Sequence, residues 1–124
     1  MRHWRILVSV AFAPITVVEV DPFPSKADLV WNEDERLEFI TYIAFNPMAG
    51  DVIPGSGGIR KVRWGHQGKG KRGGVRVIYY FQNSTHPLFL LTVYAKSRKD
   101  DLSPDELRTM KKLVAELRSI YAKD

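Results

Sequence analysis

The sequence predicts an α+β fold in which helices pack against a mainly antiparallel sheet. Residues 59–64, 75–81 and 88–96 alternate between apolar and polar side chains, the period of a half-buried strand, and short loops connect them. Residues 32–45 and 103–121 instead place apolar residues three and four positions apart, as amphipathic helices do. A length of 124 residues with 44% hydrophobic residues suits one domain with its own core.

The N-terminal part divides into an extension and the start of the domain. We interpret residues 1–14 as an apolar extension of uncertain status rather than a secretory leader, because their apolar run is very short and no cysteine framework follows. The single domain is therefore expected to span residues 15–124. Its first strand is predicted at residues 15–20, a β-branched run, and a short helix at residues 25–31.

The first long helix is predicted to begin after Asn32, a favourable N-cap residue. Acidic residues at 33–35 suit its first turn, where they interact with the helix dipole. Asn46 and Pro47 should end it. Its apolar face is predicted to comprise Leu37, Ile40, Tyr42, Ile43 and Ala44.

The three alternating segments predict an antiparallel meander with one apolar face and one polar face. The apolar face would consist of Val62, Trp64, Val77, Tyr79, Phe81, Phe89, Leu91, Val93 and Ala95. If these apolar sides align, the opposite face collects Lys61, Arg63, Arg76, Tyr80, Tyr94 and Lys96.

The last helix has the clearest sequence signals. Ser103 and Glu106 form a capping box around Pro104, which suits the first helical position. A stripe of apolar residues follows, and we expect it to pack on the core. The stripe consists of Leu107, Met110, Val114, Leu117 and Tyr121.

The charge distribution points to a polyanionic ligand. Residues 52–99 contain no Asp or Glu, although a surface that serves only solubility would mix both signs. The rest of the chain carries nine basic and 14 acidic residues. The ten basic residues of the segment are Arg60, Lys61, Arg63, Lys69, Lys71, Arg72, Arg76, Lys96, Arg98 and Lys99.

All nine glycines lie between Gly50 and Gly74. Residues 65–71, GHQGKGK, match the start of a phosphate-binding P-loop, but Arg72 stands where Ser or Thr should bind magnesium and a strand follows instead of a helix. A basic loop that holds a nucleic-acid backbone through Lys69, Lys71 and Arg72 fits better.

No cofactor or metal is expected. The chain has no cysteine, and its three histidines are scattered without metal-ligand spacing.

The aromatic residues Tyr80 and Tyr94 add stacking planes to the cationic face, which favours RNA as the ligand. RNA carries its own nucleophile, the 2′-hydroxyl group. Clustered Arg and Lys can stabilise the charge that develops on phosphorus, and a Lys or Tyr with a lowered pKa can move protons. An active site without carboxylates is compatible with this chemistry.

Three stretches, DVIPGSGGIRKVRWGHQGKGKRGGVRVIYYF, LLTVYAKS and DLSPDEL, resemble the HigB-type branch of the RelE/ParE superfamily of type II toxin-antitoxin toxins. The resemblance implies two N-terminal helices packed on a mainly antiparallel four-stranded sheet, plus a C-terminal helix. It also implies a cytoplasmic, cofactor-independent endoribonuclease that cuts translated mRNA on the ribosome by 2′-hydroxyl attack. A cognate antitoxin would neutralise it, in a possible hetero-oligomer.

By position, Lys61 and Arg63 match the family's basic pair on the second strand, and Arg76 matches its phosphate-contacting arginine. Tyr94 and Lys96 would complete the catalytic set. The sequence lacks the arginine and the following tyrosine that several RelE-type enzymes place after the fourth strand, so Tyr94, Lys61 and His66 stay open as acid and base. The expected RNA-binding residues are Arg60, Lys69, Lys71, Arg72, Tyr80 and Arg98.

Two alternatives remain at this point. ParE-type members of the superfamily inhibit DNA gyrase without chemistry, and a degenerate toxin could act only as a binding module. The dense cationic sheet and the GKGK loop favour RNA over gyrase inhibition, while the N-terminal extension keeps the binding-module alternative open.

Overall fold

The structure of the chain, a computed structural model, describes residues 13–66, 70–99 and 101–121. It has the predicted α+β architecture, a sheet with helices on both faces. In chain order the elements are β1 (Val17–Glu19), α1 (Phe23–Val30), α2 (Glu33–Phe45), β2 (Asp51–Val52), β3 (Ile59–His66), β4 (Gly70–Tyr80), β5 (Leu88–Ala95) and α3 (Pro104–Tyr121). The predicted extension, residues 1–14, falls almost wholly outside the described residues.

The described strands form one mixed sheet in the order β1-β5-β4-β3-β2. β1 pairs with β5 in parallel, and the other neighbours are antiparallel, which confirms a mainly antiparallel sheet. The sheet has five strands rather than the four expected. The additional strand, β2, is only two residues long, too short for any alternation to reveal it.

A β-bulge in β5 corrects one predicted face. Ile78 pairs with Thr92 but Tyr79 pairs with Leu90, so Leu91 is an extra residue without a direct partner. The extra residue reverses the alternation, and the prediction that residues 89, 91, 93 and 95 share one face is therefore wrong. Phe89 and Leu91 pack on the α3 side, while Val93 belongs to the core under the N-terminal helices.

The helices α1 and α2 cover one face of the sheet. Phe23 and Ala27 from α1 and Phe39 and Ile43 from α2 are fully buried against β4 and β5. The N-cap prediction is confirmed, since Asn32 and Glu35 form a reciprocal capping box. Leu37, predicted to be apolar core, is 62% exposed, and Phe39 takes the central place instead.

The helix α3 covers part of the other face. Its predicted stripe packs on the sheet through the buried Met110 and Val114, with Ile78 and Leu91 beneath them. Ser103 and Glu106 form the predicted capping box, with hydrogen bonds of 3.1 and 2.8 Å. Both faces of the sheet therefore carry a hydrophobic core. The face predicted to be polar is polar only at the end of the sheet that α3 does not cover.

Tyr79 on the central strand fixes the loop before β2. Its hydroxyl group accepts a hydrogen bond from the Gly50 amide and donates one to the Pro47 carbonyl, both at 2.8 Å. A side chain at Gly50 would stand 2.9 Å from the Lys61 carbonyl oxygen, so only glycine fits this close approach. The loop thereby places Asp51 opposite Lys61 in the pairing of β2 with β3.

Candidate active site

The cationic residues of the sheet meet at a cleft of about 500 Å³ beside β3. Four of the five predicted catalytic residues line it: Lys61, Arg63, Arg76 and Lys96. The remaining walls come from α2, the loop before β2, β2 itself and β3, through Tyr42, Ala49, Asp51 and Val62, respectively. The polar lining suits an anionic, hydrated ligand better than an apolar one.

Arg76 stands at the centre of the site, on the central strand β4. Its direct cross-strand partners are Arg63 on β3 and Tyr94 on β5, so the three side chains form one row on the same sheet face. Arg76 is only 7% exposed, and its Nη1 donates to the carbonyl of Val75 at 3.4 Å. A buried, hydrogen-bonded guanidinium group is preorganised, with little freedom left to lose on binding.

Lys61 lies on the same face, two residues before Arg63 on β3, opposite Ile78 on one side and Asp51 on the other. Its Nζ forms an ion pair with the Oδ1 of Asp101 at 3.3 Å. The Tyr94 hydroxyl group also donates to this oxygen, at 3.4 Å. Asp101 thus joins residues from strands on both sides of Arg76.

Asp101 and Asp51 are site residues that the sequence did not indicate. Both lie outside the acid-free segment on which the prediction rested. Asp51 reaches the cleft only because β2 pairs with β3, and Asp101 only because the chain turns back after β5 before α3 begins. Neither turn has a local sequence pattern that specifies which way the carboxylate points.

The environment of Tyr94 keeps its phenol protonated. Burial, and next the negative charge of Asp101, raise the pKa of Tyr94 to about 12, while Arg76 acts in the opposite direction. The structure therefore shows the reverse of the lowered tyrosine pKa that the sequence argument considered. A protonated phenol at neutral pH can donate a proton or a hydrogen bond but cannot accept a proton.

The carboxylate of Asp101 is ionised. Partial burial disfavours the charge, but the hydrogen bonds from the Leu102 amide and from Lys61 outweigh burial and hold the pKa of Asp101 below its ordinary value. A second pair lies nearby: Lys99 binds Glu106 at 2.5 Å and lies 5.3 Å from the ring centre of Tyr94. These contacts connect the site to the start of α3.

The predicted RNA-binding residues do not come together in the cleft. Arg60 lies on the other sheet face, where its Nη1 donates to the Gly50 carbonyl at 2.6 Å. Tyr80 is 5% exposed beneath α3, so its ring is not available for stacking on a base. Arg98 is exposed and lines a separate, mainly apolar cavity of about 300 Å³ between α1 and the end of β5.

The remaining candidates fall on residues without a described side chain. Lys71 and Arg72 lie in β4, and His66 ends β3, but the structure describes no side chain for them. Lys69 lies outside the described residues.

Two further observations concern the described part of the chain. It contains no group of three or more His, Asp or Glu side chains arranged to hold a metal ion. Its helices include none with the length and apolar character needed to cross a membrane.

The fold and the cleft define a class of small α+β proteins with a helix-flanked sheet and a cationic site centred on an arginine. The family model for the RelE toxin of the RelE/RelB toxin-antitoxin system matches residues 47–124, the part from the loop before β2 onward. The chain therefore belongs to the RelE toxin family, which confirms the superfamily predicted from its motifs. Membership in a toxin-antitoxin family implies a cognate antitoxin as partner.

Proposed function

We propose that this protein is a ribosome-dependent mRNA endoribonuclease of the HigB-type branch, held inactive in the cytoplasm by its antitoxin. The observation that carries the proposal is the row of Arg63, Arg76 and Tyr94 across three adjacent strands. Arg63 and Arg76 line the cleft together with Lys61 and Lys96, and Tyr94 lies next to Arg76 on β5. These groups supply what RNA cleavage requires of a protein: charge stabilisation, orientation and a proton donor.

The reaction uses the nucleophile that RNA already contains. The 2′-hydroxyl group loses its proton and its oxygen attacks the adjacent phosphorus, while the bond from phosphorus to the 5′-oxygen of the next nucleotide breaks. The 5′-oxygen takes up a proton, which leaves a 2′,3′-cyclic phosphate and a 5′-hydroxyl end. No oxidant or reductant takes part.

Arg76 and Arg63 would bind the scissile phosphate and stabilise the additional negative charge of its pentacoordinate state. Arg76 would contribute more, because it is buried and already held in place, whereas Arg63 is exposed. Lys61 and Lys96 would add positive charge at the edge of the cleft. Guanidinium groups suit this task because they can donate two parallel hydrogen bonds to phosphate oxygens.

Tyr94 would act as the general acid that protonates the 5′-oxygen. Its raised pKa keeps the phenol protonated until a strongly basic oxygen develops beside it. The general base stays open between His66 and Lys61, and Lys61 would act as one only after its ammonium group loses a proton and the ion pair with Asp101 breaks. The ribosome would complete the site by presenting mRNA in an extended, unpaired form, which leaves the phosphate accessible.

The experiment is a cleavage assay on mRNA with and without programmed ribosomes. Wild-type protein should cut ribosome-bound mRNA, and Arg76→Ala should be slower by a factor of about 10² to 10³, the usual cost of removing one preorganised charge donor. Arg108→Ala serves as the matched control, because Arg108 is an exposed α3 arginine whose partner is Asp105. Intact mRNA together with inhibited gyrase supercoiling would overturn the proposal.

A further inference from the structure

We propose that Asp101 is a positioning residue of the cleavage site. Its carboxylate holds the side chains of Lys61 and Tyr94 in place on the two strands that flank the strand of Arg76. The inference rests on the proposed function and deepens it, since it concerns how the same site is organised. Asp101 would not touch the RNA itself.

A single carboxylate oxygen makes all the relevant contacts. Oδ1 of Asp101 accepts from Lys61 Nζ at 3.3 Å, from the Tyr94 hydroxyl group at 3.4 Å and from the Leu102 amide at 2.9 Å. Lys61 comes from β3 and Tyr94 from β5, the two strands that flank β4. The carboxylate therefore spans the strand that carries Arg76.

The position of this carboxylate is set by the start of α3 rather than by a free loop. The Leu102 amide holds it locally, and the Leu102 side chain packs on the α3-side core. The Ser103–Glu106 capping box follows immediately and fixes the helix start. The Asp101 side chain is nevertheless 63% exposed, and its partner Lys61 lines the cleft.

Electrostatics explains why the site needs a carboxylate at this point. Lys61, Arg63 and Arg76 have the same charge and lie on neighbouring positions of one sheet face, so they repel each other when no anion is bound. Asp101 offsets part of this repulsion and keeps the Lys61 ammonium group near the cleft. Asp51, the cross-strand partner of Lys61, adds a second negative charge on the other side.

The same contact orients the proton of Tyr94. The hydroxyl group donates to Asp101, so its hydrogen points toward Oδ1 of this carboxylate. The other groups around this pair are Arg76 on β4, Lys99 after β5 and Glu106 on α3. A neutral amide at position 101 keeps the shape but removes the charge that holds both partners.

The test compares Asp101→Asn with Asp105→Asn, a matched control at the exposed start of α3 with 86% of its side chain accessible. In single-turnover cleavage on ribosomes, Asp101→Asn should slow the chemical step by about 10- to 100-fold, the scale of a misplaced catalytic group, with an apparent KM within about threefold of wild type. In a Lys61→Ala/Tyr94→Phe background the same change should cost little, because its two partners are gone.

A second readout does not depend on nuclease activity. In protein labelled with ¹³C at the tyrosine ring, Tyr94→Phe assigns the Tyr94 resonance, and a pH titration follows its ionisation. Asp101→Asn should make Tyr94 ionise at lower pH, below the wild-type pKa of about 12. Asp105→Asn should leave the titration unchanged.

The two readouts separate the two claims. If wild-type protein leaves mRNA intact, the proposed nuclease fails, while the titration still tests the contact between Asp101 and Tyr94. An unchanged Tyr94 titration in a folded Asp101→Asn protein overturns the positioning role. Equal cleavage rates for Asp101→Asn and Asp105→Asn overturn it as well.

Discussion

Replacing Tyr79 by phenylalanine should lower the free energy of unfolding by about 2–4 kcal/mol, because it leaves a buried amide and a partly buried carbonyl group without a partner, at about 1–3 kcal/mol each. In the native protein the Gly50 amide donates to the Tyr79 oxygen and the Tyr79 hydroxyl group donates to Pro47, each at 2.8 Å. The ring itself is fully buried and stays in place in the variant, so packing is preserved.

Urea unfolding measures this effect directly. The midpoint should fall while the dependence of the unfolding free energy on urea concentration stays constant, which is the signature of a changed stability rather than a changed unfolded state. Tyr121→Phe is the control, since its half-buried ring makes ring contacts with His86 and Phe89 but its hydroxyl group has no hydrogen bond within the described part of the chain. If Tyr79→Phe lowers the free energy of unfolding by less than about 0.5 kcal/mol, the range of a neutral surface substitution, the two hydrogen bonds of the Tyr79 hydroxyl group do not stabilise the fold as inferred.

Three further predictions concern other parts of the molecule. Arg63→Ala should slow mRNA cleavage less than Arg76→Ala, by about tenfold, because Arg63 is exposed and less preorganised; equal losses in parallel assays would contradict this order. Burial disfavours the charge of Glu106, but the hydrogen bond from Lys99 outweighs burial and holds the pKa of Glu106 below its ordinary value of 4.5. The ionised pair therefore stabilises the fold above pH 4.5, and this stabilisation is lost as the pH falls through the lowered pKa. Acid unfolding of Glu106→Gln should accordingly show a shallower loss of stability below pH 4.5 than wild type. Gly74→Ala should cost at least about 2 kcal/mol in thermal unfolding, because its new methyl group would overlap the Trp64 carbonyl oxygen; a wild-type Tm would show that the β3–β4 pairing is looser than described.

The sequence predicted the elements whose signals are local. The N-cap at Asn32 and the capping box at Ser103 lie where expected, because the residues that specify each helix start are within three positions of each other. The alternation in β3 and β4 likewise placed Lys61, Arg63 and Arg76 on one face. Capping residues and strand alternation are patterns of residues close together in the chain, so a single sequence is sufficient to identify these elements.

The predictions that failed depend on long-range contacts. The bulge at Leu91 arises from how β5 pairs with β4, and no residue type in β5 marks it. Tyr80 is buried because α3 folds over that half of the sheet, an arrangement that strand periodicity cannot reveal. Asp101 joins the site through contacts to residues 40 and seven positions away, which explains why an acid-free segment alone suggested a site without carboxylates.

Ribosome-dependent cleavage of mRNA can be tested in cells by mapping mRNA 5′ ends after brief induction of the protein, with and without ongoing translation. Wild-type protein should produce new 5′-hydroxyl ends at positions in phase with codons. These ends should depend on translation, be lost in Arg76→Ala and persist in Arg108→Ala. Growth arrest by wild-type protein with unchanged mRNA 5′ ends would contradict the proposed cleavage, because the row of Arg63, Arg76 and Tyr94 would then serve binding without cleavage.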